Sequence, residues 1–168
     1  MIYITGDCHG DFKRFNKKNF PEQLEMTKDD FVIICGDFGG VWNKDCESKH
    51  EKVQLDWLDA QPFTTLFVSG NHENYDRLDE YPVEEMEEGK RNLREHNNEV
   101  DFMVTHCCAA STQILINPTY GKLDYLAKYF EELRQTVKFK KWFFGHYHEN
   151  RNITAEEILI YEQIIRIS

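Results

Sequence analysis

Five short apolar runs recur along the chain, and each breaks off sharply at small or polar residues. Because β-branched and aromatic residues dominate the runs, and each is too short for a stable helix, the pattern predicts buried β-strands. The five runs are MIYIT before Gly6, FVIIC before Gly36, TTLFVS before Gly70, VDFMVT before His106 and KWFF before Gly145. Each predicted strand is followed by a loop that carries Asp, Asn or His.

Segments with a helical spacing of apolar residues separate these strands. CESKHEKVQLDWLDAQP (46–62) and LDYLAKYFEELRQTV (123–137) are predicted helices, and EEGKRNLREHNNEV (87–100) is a weaker, mostly charged one. Strands that alternate with helices predict a layered α/β domain whose strand ends carry the functional groups. The final segment EEILIYEQIIRIS (156–168) fits one or two closing strands, and a helix is the alternative interpretation.

Size, charge and cysteine content narrow the class of protein. The 168 residues, of which 40% are hydrophobic, predict a single domain over residues 1–168. A formal net charge of -10 opposes non-specific attraction to nucleic acid or to an anionic membrane, so a long nucleic-acid partner is disfavoured. The five cysteines are odd in number, two of them are adjacent, and the N-terminal residues show neither a leader nor a membrane span. We therefore expect a cytoplasmic protein without a membrane partner.

The polar residues at the strand ends are the strongest signal in the sequence. Five of the seven histidines lie in these loops, and only His50 and His96 lie elsewhere. One such histidine, or one Gly-Asp pair, is usually a hydrogen-bonding group or a turn. Five strand ends of this kind together indicate a shared metal site. The loops are GDCHGD (6–11), GDFGG (36–40), GNHEN (70–74), THCC (105–108) and GHYH (145–148).

The types of side chain in these loops indicate which metals fit. Imidazole, carboxylate and amide ligands suit Mn, Fe, Zn or Ni, whereas calcium and magnesium sites are normally built from oxygen. Residues two apart on an extended chain point to the same face. Asp7 with His9, and His146 with His148, are therefore each expected to converge on one centre.

The ordered blocks resemble those of the calcineurin-like metallophosphoesterases and run nearly from end to end of the chain. They are Asp7-Cys8-His9, Gly36-Asp37, Gly70-Asn71-His72-Glu73, His106 and Gly145-His146-Tyr147-His148. The resemblance implies a four-layer α/β/β/α fold, in which helices flank a β-sandwich. It leaves open whether the second sheet is reduced. It also implies two divalent metal ions, with Mn the most favoured in vitro. Asp7, His9, Asp37 and His148 would hold the first ion, and Asp37, Asn71, His106 and His146 the second.

The same resemblance implies hydrolysis of phosphomonoesters or phosphodiesters by a hydroxide that bridges the two ions, with His72 as the general acid. The expected substrate is a small phosphate ester or a nucleotide. Two alternatives stay open at this point. One is a metal-binding scaffold with little or no turnover, and the other is a nuclease or nucleotide hydrolase.

The chain departs from the family pattern at two places. The second block continues as GDFGGVWNKD and lacks the arginine of the protein serine/threonine phosphatases, so that subclass is disfavoured. Arg77 is interpreted as a solvated helix residue rather than as a phosphate contact. His72 and His106 are separated by one helix-like segment, so part of the second sheet and one wall of the substrate cleft are expected to be missing.

Three residues inside the motifs have simpler interpretations. Cys8 and Tyr147 lie between ligand positions, so their side chains are expected to point away from the metals and to pack. Glu73 is a candidate hydrogen-bond partner for one of the histidines, whereas Asp45 is interpreted as a charged surface residue.

Overall fold

The computed structural model of the protein describes residues 1–78, 82–119 and 124–168. Its strands are β1 (Ile2–Thr5), β2 (Phe31–Ile34), β3 (Thr64–Phe67), β4 (Glu99–Thr105), β5 (Lys138–Phe144), β6 (Arg151–Asn152), β7 (Glu157–Leu159) and β8 (Ile165–Arg166). They form two four-stranded sheets within these ranges, with the orders β3-β2-β1-β8 and β4-β5-β7-β6. Strands β1, β2 and β3 are parallel, as are β4, β5 and β7, whereas β8 and β6 are antiparallel edge strands. All five predicted strands are confirmed.

The helices of the described ranges are α1 (Lys49–Asp59), α2 (Tyr75–Leu78), α3 (Pro82–Glu95), α4 (Ala110–Ile116) and α5 (Tyr125–Thr136). Two short 3₁₀ helices, Lys13–Phe15 and Pro21–Glu25, follow β1. Helix α1 begins with a capping box, in which Ser48 and Glu51 each bond the other's backbone amide, and Asp124 caps α5. The three predicted helices are confirmed as α1, α3 and α5, except that the start of the last prediction, Leu123, lies outside the described residues.

Side chains alternate between the two faces of each sheet, and this alternation produces the layers. In β1, Tyr3 packs under the outer helical layer, whereas its neighbour Ile4 packs between the sheets. In β5, Trp142 and Phe144 face α5, and Phe143 faces the first sheet. Three apolar clusters thus separate four layers, which confirms the α/β/β/α architecture.

One sequence interpretation is confirmed and another changes at this level. The final segment forms the strands β7 and β8, so the helical alternative is wrong. The interval between His72 and His106 holds α2 as well as α3, where the sequence predicted one helix-like segment. Helix α4 was also missed, because its seven residues are too few to show a clear helical period. The second sheet has four strands in the described ranges, although two of them are only two and three residues long.

Trp142→Ala is expected to lower the free energy of unfolding by about 3–5 kcal/mol, the usual cost of emptying a large aromatic site. The side chain is fully buried, its Nε1–H donates to Thr105 Oγ1 at 2.8 Å, and its ring contacts Phe130 edge-on. The matched control is Trp42→Ala, whose side chain is 55% exposed and whose loss should cost less than about 1 kcal/mol. Denaturant unfolding measures both variants, and equal losses would contradict this description of the core.

Candidate metal centre

The ends of five parallel strands from both sheets meet at one place. The polar residues arrive there in chain order: Asp7 after β1, Asp37 after β2, Asn71 and His72 after β3, His106 after β4, and His146 and His148 after β5. Hydrogen bonds join the two sheets at this point. The amide of His146 donates to Asp7 Oδ1 at 3.0 Å, and His106 Nδ1 lies 3.1 Å from the carbonyl oxygen of Cys35.

One group of four side chains could hold a metal ion: Asp7, His9, Asp37 and His148, whose ligand atoms all lie within 4.8 Å of one another. Nε2 of His9 and Nε2 of His148 are 3.0 Å apart. Nε2 of His148 lies 3.2 Å from Asp7 Oδ2, and Nε2 of His9 lies 3.6 Å from Asp37 Oδ2. The four residues that the resemblance implied for the first ion are therefore together.

A second group surrounds His106. Its Nε2 atom lies 2.9 Å from Asn71 Oδ1, 3.1 Å from His146 Nδ1 and 3.5 Å from Asp37 Oδ1. The four residues implied for the second ion are therefore also together. The Sγ atom of Cys107 lies within 4.8 Å of ligand nitrogens of His106 and His146, and the sequence interpretation did not include it.

Asp37 lies between the two groups. Its Oδ2 atom faces His9 and its Oδ1 atom faces His106, while Oδ1 also accepts the backbone N–H of His72 at 2.8 Å. The Asp37 side chain is 2% exposed, so it is buried at the floor of the centre. This position, with one oxygen toward each group, is the one required of a bridging carboxylate.

Four residues of the centre have left-handed backbone, which the sequence interpretation did not predict. His9, Asp37, His146 and His148 have φ values of 48°, 43°, 72° and 51°. Left-handed backbone is unfavourable for residues with a side chain and concentrates at functional sites. The extended-chain reasoning for these pairs is therefore wrong. Asp7 and His9 do converge on one group, whereas His148 lies in that group and His146 lies beside His106 in the other.

Two glycines allow the carboxylates to lie against a neighbouring loop. A Cβ at Gly145 would lie 2.0 Å from Asp7 Oδ1 and 2.8 Å from the carbonyl oxygen of Cys35. A Cβ at Gly70 would lie 2.1 Å from Asp37 Oδ1. The glycines before these motifs are thus required by the close approach of a second segment.

Gly145→Ala is expected to push Asp7 out of place and to weaken metal binding about 10- to 100-fold, the range typical for supporting residues. The new methyl group would overlap atoms of two other strand ends, so the free energy of unfolding should also fall, by about 1–3 kcal/mol. Gly89→Ala in α3 is the control, because among the described residues its Cβ would approach only the Tyr129 hydroxyl, at 3.0 Å. Metal titration and denaturant unfolding check both, and wild-type metal affinity in Gly145→Ala would contradict the packing described.

Burial sets the protonation of the centre. Burial raises the pKa of Asp7 to about 6, against the lowering effect of the His146 amide. Burial lowers the pKa of His106 to about 4 and also lowers the pKa values of His9 and His146. These three imidazoles are therefore neutral at pH 7 and can act as metal ligands.

The donor atoms fit divalent cations. A backbone carbonyl only accepts hydrogen bonds, so the contact with Cys35 places the proton of neutral His106 on Nδ1 and leaves Nε2 with a lone pair. That lone pair faces a carboxylate oxygen of Asp37. Ligand histidines are commonly oriented by a hydrogen bond from the other ring nitrogen to a backbone carbonyl, as His106 is by Cys35. A cation between these atoms would satisfy several acceptors that cannot satisfy one another.

Three further side chains hold the loops in place. Arg14 donates to the carbonyl oxygen of Asp7 at 2.6 Å. Glu73 accepts from the backbone amides of Phe38 and Gly39, directly after Asp37. Tyr161 stacks on His148 with ring centroids 4.7 Å apart. Neither Arg14 nor Tyr161 was predicted, since each lies outside the motifs and reaches the site through the fold.

His72 lies at the solvent side of the centre. Its ring is exposed and lies 5.5 Å from the His9 ring, measured between centroids. Its backbone amide is bound to Asp37, whereas its side chain lines a cavity of about 440 Å³ together with His9 and Trp42. The imidazole is therefore placed where a group bound at the centre would meet solvent.

The prediction for Arg77 is wrong, whereas Cys8, Tyr147 and Asp45 lie as expected. Arg77 is not solvated, because its Nη1 atom pairs with Oε1 of buried Glu51 at 3.0 Å and its side chain is 19% exposed. Cys8 is buried in the first apolar cluster and Tyr147 packs against the second, as expected. Asp45 is exposed, also as expected.

Among the helices of the described ranges, none has the length and apolar character of a membrane span.

Fold and centre together define a layered α/β protein whose parallel strand ends present carboxylates and imidazoles suited to metal ions. The profile of the calcineurin-like phosphoesterases matches residues 1–150, and the chain belongs to that family.

Three curated relatives are lariat debranching enzymes. The chain is 33% identical to lariat debranching enzyme A of Xenopus laevis over 94 aligned positions, which cover 48% of this chain and 17% of the relative. It is 36% identical to the Arabidopsis thaliana lariat debranching enzyme over 84 positions, 43% of this chain and 20% of the relative. The Danio rerio enzyme is 27% identical over 93 positions, 48% of this chain and 16% of the relative. The matched part is thus a fifth or less of these relatives.

Proposed function

We propose that the protein is a metal-dependent phosphoesterase that hydrolyses phosphomonoesters or phosphodiesters at this centre. The observation that carries the proposal is the position of Asp37, with one carboxylate oxygen toward each of two groups of ligand atoms. The family to which the chain belongs supports the same reaction class. Two divalent ions, when bound, supply positive charge for the phosphate and lower the pKa of water, so that it is a nucleophile near neutral pH.

The residues of the chain divide these tasks. Asp7, His9, Asp37 and His148 would hold one ion, and Asp37, Asn71, His106 and His146 the other. The two buried carboxylates leave a net positive charge once two divalent ions are bound, so a phosphate anion is attracted despite the chain's overall charge of -10. Manganese is the first ion to test, and iron, zinc and nickel suit the same donor set.

We assign to His72 the transfer of a proton to the leaving oxygen. Its exposed ring lies beside the ligand His9 and its backbone is anchored on Asp37, so its position relative to the centre is fixed. A general acid must be within hydrogen-bond reach of the leaving group, and the cavity lined by His72 and His9 provides that place.

A second candidate is a nuclease that acts on a lariat-type substrate, and the names of the matched relatives favour it. The net charge of -10 disfavours binding along an extended phosphate backbone, because such binding usually recruits several Lys or Arg residues. Our prediction that long nucleic acid is a poor substrate therefore stays a prediction. Turnover of a small diester, compared with turnover of a lariat RNA under the same conditions, tests it.

The function is tested with purified protein that has been loaded with manganese, on p-nitrophenyl phosphate and bis-p-nitrophenyl phosphate. We expect turnover that disappears with a chelator and returns with metal. Metal bound at full stoichiometry without turnover of either ester would contradict an enzyme and favour a binding scaffold.

A further inference from the structure

An exposed tryptophan lies beside the centre, in the segment GDFGGVWNKD that lacks the phosphatase arginine. Trp42 is 55% exposed, and its ring centroid lies 6.2 Å from that of His72, with the two planes 34° apart. Both rings line the cavity of about 440 Å³ that reaches His9. Tryptophan side chains are buried on average, and this ring, exposed at the mouth of the centre, is available to a bound ligand.

The loop of Trp42 is held by a buried carboxylate. Glu51 is 3% exposed, and it accepts the backbone N–H groups of Trp42 and Asn43 at 2.5 and 2.8 Å. Its other oxygen accepts the N–H of Ser48 at 2.7 Å, and Arg77 pairs with the carboxylate. Although burial favours the neutral acid, the amide bonds prevail and hold the pKa of Glu51 well below its ordinary value. The backbone beneath the exposed ring is therefore firmly fixed.

The same loop is bound to the segment that carries His72. The side-chain amide of Asn74 donates to the carbonyl oxygen of Asn43 at 2.7 Å. The backbone N–H of Asn74 donates to the carbonyl oxygen of Val41 at 3.3 Å. Arg77 also donates to the carbonyl oxygen of Asn43 at 3.0 Å. The fold thus sets the distance between the indole and the imidazole, and an aromatic group next to a phosphate at the centre would meet the indole face.

We propose that Trp42 forms a stacking subsite for the nucleobase of a nucleotide-type phosphate ester. The proposal rests on the proposed function, because the metal centre is what would hold the phosphate. A nucleobase suits the cavity better than a plain hydrocarbon, since polar side chains of Ser48, His50 and Gln54 line the same walls and can meet the edges of a base. Stacking of a base on an aromatic side chain raises affinity about 5- to 150-fold and tolerates every base.

Binding of adenosine 5′-monophosphate and of ribose 5-phosphate to the manganese-loaded protein tests the subsite, because only the first carries a base. Each is used as its phosphonate analogue, in which a methylene group replaces the ester oxygen and prevents hydrolysis. Calorimetry is expected to show adenosine 5′-monophosphate binding at least about tenfold more tightly. Trp42→Ala should lose this preference while keeping the affinity for ribose 5-phosphate, and Trp42→Phe should keep most of it. Tyr125→Ala, which removes an aromatic ring that is 59% exposed on α5, is the control and should change neither affinity.

The result separates the two proposals. Equal affinities of the wild-type protein for both ligands, no binding of either, or a preference that survives in Trp42→Ala would overturn the subsite. Failure to hydrolyse either p-nitrophenyl ester would contradict the proposed function alone, since the preference for the base is measured without turnover.

Discussion

Asp37→Asn is expected to release metal from both groups of ligands and to lower turnover by more than about a hundredfold. Loss of a residue that only supports a ligand already costs about 10- to 100-fold, and Asp37 presents one carboxylate oxygen to each group. Asparagine is the informative replacement, because it keeps the shape of the side chain and tolerates the left-handed backbone at this position. It can also accept the His72 amide, so the effect isolates the lost charge and the lost second oxygen.

The matched control for this substitution is Asp45→Asn, which removes the same charge from an exposed residue eight positions further along the chain. Metal content per chain, measured by elemental analysis after dialysis, and turnover of p-nitrophenyl phosphate should be normal in the control. If Asp37→Asn retained two ions per chain, or if both variants lost metal equally, the bridging role of Asp37 would be refuted.

His72→Ala should give the opposite combination, namely low turnover with normal metal content. A general acid typically contributes about 10²- to 10⁴-fold to the rate, so the loss should lie in that range. The His72 side chain is exposed, and its contact with Asp37 is made by the backbone amide, which alanine keeps. Neither folding nor the ligand positions should therefore change.

His96→Ala is the control for His72→Ala, because His96 is exposed at the end of α3 and lies outside the strand-end loops. An ester with a strongly acidic leaving group, which needs little protonation, should lose less rate in His72→Ala than an alkyl ester. Equal losses for both esters, or a loss of metal from His72→Ala, would exclude His72 as the acid.

The strands and the members of the centre could be predicted from the sequence because both leave local signals. The runs before Gly6, Gly36 and Gly145 alternate between two apolar faces, and the structure places those faces in different layers. The groups around Asp7 and His106 were recognisable because the same polar residue types recur at successive strand ends.

The supporting contacts could not be predicted in the same way, because they join segments that are distant along the chain. Arg14 lies seven residues from Asp7 but also donates to the carbonyl oxygen of Tyr161, 147 positions away, and the ring of Tyr161 stacks on His148. Arg77 looked solvated because its partner Glu51 is one turn into another helix. The left-handed backbone at His9 and His148 was likewise hidden, since local spacing alone favours an extended chain.

The central prediction is that Asp37 lies between two bound cations. Anomalous diffraction from a crystal of the manganese-loaded protein tests it directly, because the metal positions are located independently of the ligands. We predict two anomalous peaks, one against Asp37 Oδ2 among Asp7, His9 and His148, and one against Asp37 Oδ1 among Asn71, His106 and His146. A single peak, or peaks that leave Asp37 without a metal contact, would contradict a bridging role for Asp37.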